Sequence, residues 1–124
     1  MQIVTLTTDW GLSDYYVGIV KGRLYSLVND VIVVDITHDI ENYNLLKTAF
    51  IVKNACCQYP EGTIHIIDVN SFEQGETSST KARSYVVVKH KNQYYICTDN
   101  GLPSMVFGND PVEIVEIALF NETD

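Results

Sequence analysis

The sequence has few basic side chains, few cysteines and no long apolar run. Of its 124 residues only 8 are Lys or Arg, against 16 Asp or Glu, and the formal net charge is −8. This charge disfavours a nucleic-acid backbone or an anionic membrane surface as the main partner. No apolar stretch approaches the ~20 residues that a membrane-spanning helix requires. We therefore expect neither a nucleic-acid partner nor a membrane partner.

The three cysteines do not form a disulfide framework or a metal-binding motif. Cys56 and Cys57 are adjacent, and Cys97 lies far along the chain. No Cys/His/Asp spacing suggests a metal ion, and no glycine-rich loop opens a helix as phosphate binding requires. These absences predict reduced, half-buried thiols, a cytoplasmic location, and no metal or cofactor.

The predicted elements alternate between strands and helices before they end in a hairpin. Runs of β-branched and apolar residues predict strands at 3–8, 31–36, 63–69, 84–89, 93–98 and 112–118. The first three strands alternate with helices, which predicts parallel pairing, and the next two predict an antiparallel hairpin. The sequence thus predicts an α/β fold: a three-layer α/β/α domain with a mixed, mainly parallel sheet.

Each of the two predicted crossover helices has an expected cap and an expected buried stripe. Ser13 is the predicted N-cap of the first helix, with Asp14 beside it to complement the helix dipole. The buried stripe of this helix is predicted to contain Val17, Val20, Leu24, Leu27 and Val28. Asn44 is the predicted N-cap of the second helix. Its apolar stripe is predicted to contain Leu45, Ala49, Val52 and Cys56.

The first strand breaks at Asp9-Trp10-Gly11, just before the first helix. A carboxylate at the carboxyl end of a strand, beside a helix N-terminus, lies where open α/β sheets bind ligands. Asp9 is therefore the leading candidate for a ligand-binding residue, and the alternative is that it only caps the turn. His38, at the end of the second strand, is a further candidate for ligand contact. His65, inside a strand, is expected to be structural.

Eight short motifs follow one another along the chain, at residues 7–11, 14–18, 21–22, 34–40, 49–50, 53–55, 60–65 and 99–102. In this order they resemble the motifs of the S-adenosylmethionine hydroxide adenosyltransferase family. That family is related to fluorinating and chlorinating enzymes that use the same substrate. Each motif is weak alone, but their shared order over roughly residues 3 to 117 is specific.

The resemblance implies hydrolysis of S-adenosylmethionine, which would be a substrate and not a cofactor. In that family the substrate lies between the N-terminal domain of one subunit and the C-terminal domain of a neighbour, usually in a trimer. Water or hydroxide attacks the ribose C5′ and expels methionine, which leaves adenosine. Residues 1–124 would then be the N-terminal domain of a homotrimeric enzyme, without the C-terminal barrel that binds adenine.

The resemblance also implies four substrate-binding residues. Asp9 matches an aspartate that binds both ribose hydroxyls, since one carboxylate can accept two hydrogen bonds. Tyr43 matches an aromatic residue near the ribose and the sulfonium, where a π-face suits a cation. The alternative for Tyr43 is a loop aromatic that packs on the core. Trp10 and Asn100 belong to the first and last matching motifs and are included as substrate-binding residues.

The catalytic positions depart from the family pattern. Where the family has an aspartate that helps to activate water, this chain has Asn70, and an amide cannot act as a base. Asp68, two residues earlier, would point to the same side of the strand as Asn70 and is the candidate substitute for the family's aspartate. The family's arginine corresponds to Lys81 or Arg83, and the alternative for Arg83 is a strand-edge charge facing water. The family's catalytic histidine has no counterpart in the sequence.

Three functions remain open from the sequence. The first is the N-terminal part of an S-adenosylmethionine hydrolase, with little or no hydrolytic activity in the isolated chain. The second is a degenerate module that binds S-adenosylmethionine or a nucleoside without turnover. The third is an α/β interaction domain that retains only the fold.

Overall fold

The computed structural model describes residues 1–41, 44–69 and 85–117. Within these ranges the chain forms six strands, three α-helices and one short 3-10 helix. In chain order they are β1 (Gln2–Thr8), α1 (Tyr16–Leu27), β2 (Val31–Thr37), α2 (Leu45–Ala55), the 3-10 helix (Cys56–Gln58), β3 (Ile64–Asp68), β4 (Tyr85–His90), β5 (Gln93–Thr98), α3 (Leu102–Phe107) and β6 (Glu113–Ile117). No helix in the described ranges is long and apolar enough to cross a membrane.

The six strands form one mixed sheet in the order β2-β1-β3-β5-β4-β6. β1 pairs in parallel with both β2 and β3, and β3 pairs in parallel with β5. β4 is antiparallel to β5 and to β6. The predicted parallel group and the predicted hairpin are therefore both confirmed.

The two crossover helices lie on opposite faces of this sheet. In the strand order, β2 and β3 flank β1. The crossover from β1 to β2 and the crossover from β2 to β3 therefore run in opposite directions along the sheet. Right-handed crossovers that run in opposite directions along a sheet place their helices on opposite faces. The arrangement is the predicted α/β/α layering.

The larger core lies between the sheet and the face formed by α2 and α3. It comprises Ile40, Ala49, Val52, Cys56, Ile67, Val69, Val86, Val88, Tyr95, Cys97, Leu102 and Phe107. α2 begins as predicted, because the Asn44 side chain accepts a hydrogen bond from the Lys47 N–H at 3.0 Å. Such a cap contributes about 1 kcal/mol to helix stability.

Two predictions for α1 were wrong. The helix begins at Tyr16 and not after Ser13, and no side chain caps its N-terminus. Asp14 instead accepts a hydrogen bond from the neighbouring Tyr15 N–H at 2.6 Å. Leu27, placed in the predicted stripe, is 75% exposed, and Val17 is the one fully buried residue of the helix. Because α1 covers the β2 edge of the sheet, only a narrow strip of the helix contacts it.

His65 has the structural role that its position within β3 predicted. Its Nδ1 lies 2.7 Å from the Thr5 hydroxyl, and its Nε2 lies 2.5 Å from Gln93 Oε1. The ring is fully buried and stacks on Tyr95 at 4.8 Å. Burial lowers the pKa of His65, and the hydrogen bond with Gln93 opposes that shift only in part.

This buried histidine should make the fold sensitive to mild acid. Below pH 6.5, the ordinary histidine pKa, the unfolded chain takes up a proton that folded His65 does not. The free energy of unfolding should therefore fall as the pH drops below 6.5, by at most about 1.4 kcal/mol per pH unit from this group. Urea denaturation at pH 7.5 and pH 5.5 measures the change. The His65→Gln variant should lose less stability over the same interval, and an equal loss would contradict the assignment.

The three free thiols should differ sharply in reactivity. Burial raises the pKa of Cys56 and of Cys97 to about 12, whereas Cys57 is exposed. Because the thiolate is the reactive form, iodoacetamide at neutral pH should modify only Cys57 in the folded protein. Peptide mass spectrometry identifies the modified residue, and unfolding in urea should make all three react. Early labelling of Cys56 in the folded protein would contradict this burial.

Candidate functional site

Four parallel strands, β2, β1, β3 and β5, end at the same edge of the sheet and bring the candidate residues close together. Asp9 directly follows β1, and Asp68 is the last residue of β3. Thr8 and Asp68 are paired in the β1–β3 register, and the Asp9 N–H donates to the Asp68 carbonyl at 3.4 Å. Trp10 follows Asp9 in the turn, and both residues are half-buried.

The Asp9-Trp10-Gly11 turn is tied to the segments on either side of it. The Trp10 N–H donates to the Thr8 hydroxyl at 3.2 Å, and the Gly11 N–H donates to the His38 carbonyl at 2.7 Å. Gly11 has a φ of +76°, in the left-handed region that side-chain-bearing residues rarely adopt. The conformation of the turn therefore depends on the positive φ of Gly11 as well as on these two hydrogen bonds.

A chain of polar contacts runs beneath the turn, from the first helix to the first strand. Lys21 Nζ of α1 lies 2.5 Å from Asp35 Oδ2 of β2. Asp35 Oδ1 lies 2.7 Å from His38 Nε2, and His38 Nδ1 lies 2.6 Å from the Thr8 hydroxyl. Burial of the Asp35 carboxyl opposes ionisation, but hydrogen bonds from Lys21 and His38 outweigh it and hold its pKa below the ordinary 3.8.

His38 is not placed to contact a ligand through its ring nitrogens, contrary to one expectation from the sequence. Its side chain is only 1% exposed, and both nitrogens are engaged, by Thr8 and by Asp35. Its face stacks against Trp10, with ring centroids 5.8 Å apart and planes 18° apart. Trp10 also meets the edge of Tyr16 at 4.7 Å. His38 thus supports Trp10 from below.

The other two described candidates, Asp68 and Asn100, lie on neighbouring strand ends. Asp68 Oδ1 accepts a long hydrogen bond of 3.4 Å from the Tyr85 hydroxyl. The Asn100 amide donates to the Val69 carbonyl at 3.1 Å, and its oxygen accepts from the Leu102 N–H at 3.2 Å. Asn100 therefore joins the end of β3 to the start of α3, and its predicted contact with substrate stays a prediction.

The remaining candidates, Tyr43, Asn70, Lys81 and Arg83, lie outside the described residues, and their predicted roles stay predictions. Within the described ranges no group of three or more His, Cys, Asp or Glu side chains is placed to hold a metal ion.

The sequence did not identify Thr8, Asp35 and Lys21 as parts of this site. One signal was available, because Asp35 and His38 stand three residues apart in a single matching motif. The link to Thr8 depends on strand register, since Thr8 and His38 lie 30 residues apart along the chain.

Comparison with known proteins finds a family and a relative that agree with each other. Residues 4–123 match the family described as the SAM hydroxide adenosyltransferase N-terminal domain. The (R)-S-adenosyl-L-methionine hydrolase of Methanocaldococcus jannaschii is 31% identical over an alignment of 107 residues, and the match covers 82% of this chain and 38% of that protein.

Two solved structures share the fold. An uncharacterized conserved protein from Thermotoga maritima matches with a TM-score of 0.76 and 32% identity, over 94% of this chain and 43% of that one. A conserved hypothetical protein from Thermus thermophilus matches with a TM-score of 0.70 and 28% identity, over 90% of this chain and 44% of that one. The chain thus spans less than half the length of each of these relatives.

The same substitution at two glycines should test the turn. Gly11→Ala should destabilise the fold by roughly 1–2 kcal/mol, because a Cβ is strained at φ +76° even where no atom of the described residues lies within 4 Å. Gly18→Ala, in the interior of α1 and equally unobstructed, should stabilise it by roughly 0.5–1 kcal/mol. Urea denaturation of both variants measures the difference. Equal effects of the two substitutions would contradict the turn geometry.

Proposed function

Because the chain belongs to the S-adenosylmethionine hydroxide adenosyltransferase family, we propose that it contributes to the hydrolysis of S-adenosylmethionine to adenosine and methionine. The observation that carries the proposal is the position of Asp9, in an ordered turn at the carboxyl edge of the parallel strands. β1 lies between β2 and β3, where the order of strands reverses, and open α/β sheets bind ligands in the crevice at such a point.

The proposed role of Asp9 is to accept hydrogen bonds from both ribose hydroxyls. Its carboxylate would orient the sugar, which matters because the sulfonium is already a good leaving group and the protein mainly has to align the reactants. Trp10 offers an aromatic surface next to Asp9, and such a surface suits a sulfonium cation. Tyr43 is proposed for the same part of the substrate.

The reaction needs an acceptor for one proton. The water oxygen bonds to C5′ as the C5′–S bond breaks, the bonding pair goes to sulfur, and the attacking water loses a proton. Asn70 cannot take that proton, since an amide is not a base. We propose Asp68 for this role. Within the described part of the chain it is an acidic residue whose backbone carbonyl accepts a hydrogen bond from the Asp9 N–H. Arg83 is proposed to stabilise the site electrostatically.

The complete catalytic site is proposed to need more than residues 1–124. The chain covers 38% of the hydrolase from Methanocaldococcus jannaschii. The family resemblance of the sequence implies a substrate bound between domains of neighbouring subunits. We therefore propose a cytoplasmic homotrimer with a second domain as the active form, and little or no turnover by residues 1–124 alone. The second candidate function is binding of S-adenosylmethionine or a nucleoside without turnover, which Asn70 favours.

Two measurements separate these functions. Incubation with S-adenosylmethionine, followed by chromatography for adenosine and methionine, measures turnover. Turnover by residues 1–124 comparable to that of an intact family member would contradict the proposed need for a second domain. Calorimetry with adenosine measures binding whether or not the chain is active.

Asp9→Ala should weaken adenosine binding roughly ten- to a hundredfold, because charge-assisted hydrogen bonds contribute about 1.5–3 kcal/mol. Asp14→Asn is the matched control, since Asp14 is an exposed carboxylate close in sequence that is bonded to the Tyr15 N–H, and this variant should bind normally. Equal binding by wild type and Asp9→Ala would show that the ribose assignment is wrong. Loss of folding in Asp9→Ala would show instead that Asp9 caps the turn.

A further inference from the structure

We propose that Thr8 and His38 are positioning residues, which hold the Asp9-Trp10-Gly11 turn in its ligand-binding conformation. The inference rests on the proposed function only where it concerns the ligand. Its first part concerns the conformation of the turn in the free protein and can be tested without any ligand.

The hydrogen bonds beneath the turn have a defined direction. The Asp35 carboxylate can only accept, so His38 Nε2 carries the proton in their 2.7 Å contact. In a neutral ring this leaves a lone pair on Nδ1, to which the Thr8 hydroxyl donates at 2.6 Å. The oxygen of that hydroxyl then keeps its lone pairs for the Trp10 N–H at 3.2 Å. In the tautomer that the Asp35 contact selects, the Thr8 hydroxyl thus donates to the His38 ring and accepts from the turn.

His38 holds the turn at three points. Its carbonyl accepts from the Gly11 N–H, its ring orients the Thr8 hydroxyl that accepts from Trp10, and its face stacks on the indole. The Asp9 N–H meets the Asp68 carbonyl. Three consecutive N–H groups of the turn therefore have acceptors outside it, so the backbone that carries the Asp9 side chain is fixed before a ligand arrives. Such preorganisation lowers the cost of binding.

The buried and the exposed halves of this network contribute differently. The Lys21 and Asp35 side chains are 31% and 35% exposed, and partly exposed ion pairs are worth little. Thr8 and His38 are buried, and a buried polar atom that loses its partner is costly. Most of the positioning should therefore depend on the Thr8–His38 contact, and less on Lys21 or Asp35.

The sheet contains a matched control for this contact. Thr5 lies on the same strand as Thr8, is equally buried, and its hydroxyl lies 2.7 Å from Nδ1 of a buried histidine, His65. The second ring nitrogen of His65 is also engaged, by Gln93. This second network does not include the turn. Removing either threonine hydroxyl breaks the same kind of bond, but only Thr8 bonds to Trp10.

The chain has one tryptophan, so its fluorescence reports on the turn directly. Thr8→Val, which keeps the side-chain shape and removes the hydroxyl, should shift the Trp10 emission to longer wavelength and increase its quenching by acrylamide. Thr8→Ser should restore both properties. Thr5→Val should lose comparable stability in urea while its Trp10 emission stays that of the wild type.

The ligand measurement uses adenosine and calorimetry. Thr8→Val should bind adenosine about tenfold more weakly than wild type, which corresponds to about 1.4 kcal/mol, and Thr5→Val should bind it normally. Absence of adenosine binding in the wild type would contradict the proposed function, whereas the fluorescence comparison would still decide the positioning role. If Thr8→Val does not fold, Thr8→Ala replaces it, with a shift expected in the same direction because it removes the same hydroxyl.

The inference would be overturned by either of two fluorescence results. One is a Thr8→Val protein, or its substitute Thr8→Ala, with the emission and quenching of the wild type. The other is a Thr5→Val protein that changes Trp10 as much as Thr8→Val does, because the effect would then be general loosening of the sheet.

Discussion

The structure depends on the partners of buried hydroxyl groups in β1, a strand that pairs on both sides. Thr5, Thr7 and Thr8 are fully buried there, and a buried polar group without a partner costs free energy. Two of the three hydroxyls are hydrogen-bonded to histidine rings, Thr5 to His65 and Thr8 to His38. The Thr7 hydroxyl has no hydrogen-bond partner within the described part of the chain, and the buried Cys56 thiol lies beside it. The two histidines thereby tie β1 to β3 and to the segment that follows β2.

The sequence predicts well those elements that depend on side chains close together along the chain. The β-branched runs located the strands within a residue or two, and Asn44 indicated the start of α2 because its cap acts within one turn. The prediction failed at the start of α1, where Ser13 had the right chemistry but the turn extends to Tyr15. It failed again at Leu27, since the periodicity of a helix does not reveal how much sheet lies beneath it.

Of the candidate site, the sequence predicted the half-buried Asp9 but not the buried contact between Thr8 and His38. The break after β1 pointed to Asp9, and the structure brings Asp9 to the same sheet edge as Asp68. Thr8 and His38 were missed as a pair because they lie 30 residues apart and meet only through the pairing of β1 with β2, whose register shifts between Leu6 and Thr7. No local pattern in the sequence specifies such a shift.

The two interior glycines of α1 have a consequence for the motions of the molecule. Gly18 and Gly22 lower the intrinsic stability of the helix, and no neighbouring atom of residues 1–41, 44–69 and 85–117 requires their small size. With little of its surface buried, α1 should open locally before the sheet does, so its amide hydrogens should exchange at a lower free-energy cost than those of β1. Lys21 belongs to this helix. Each opening would remove a cation from Asp35 while the Thr8–His38 contact persists, and the charge beside the site would thus fluctuate without any unfolding of the strands that carry it.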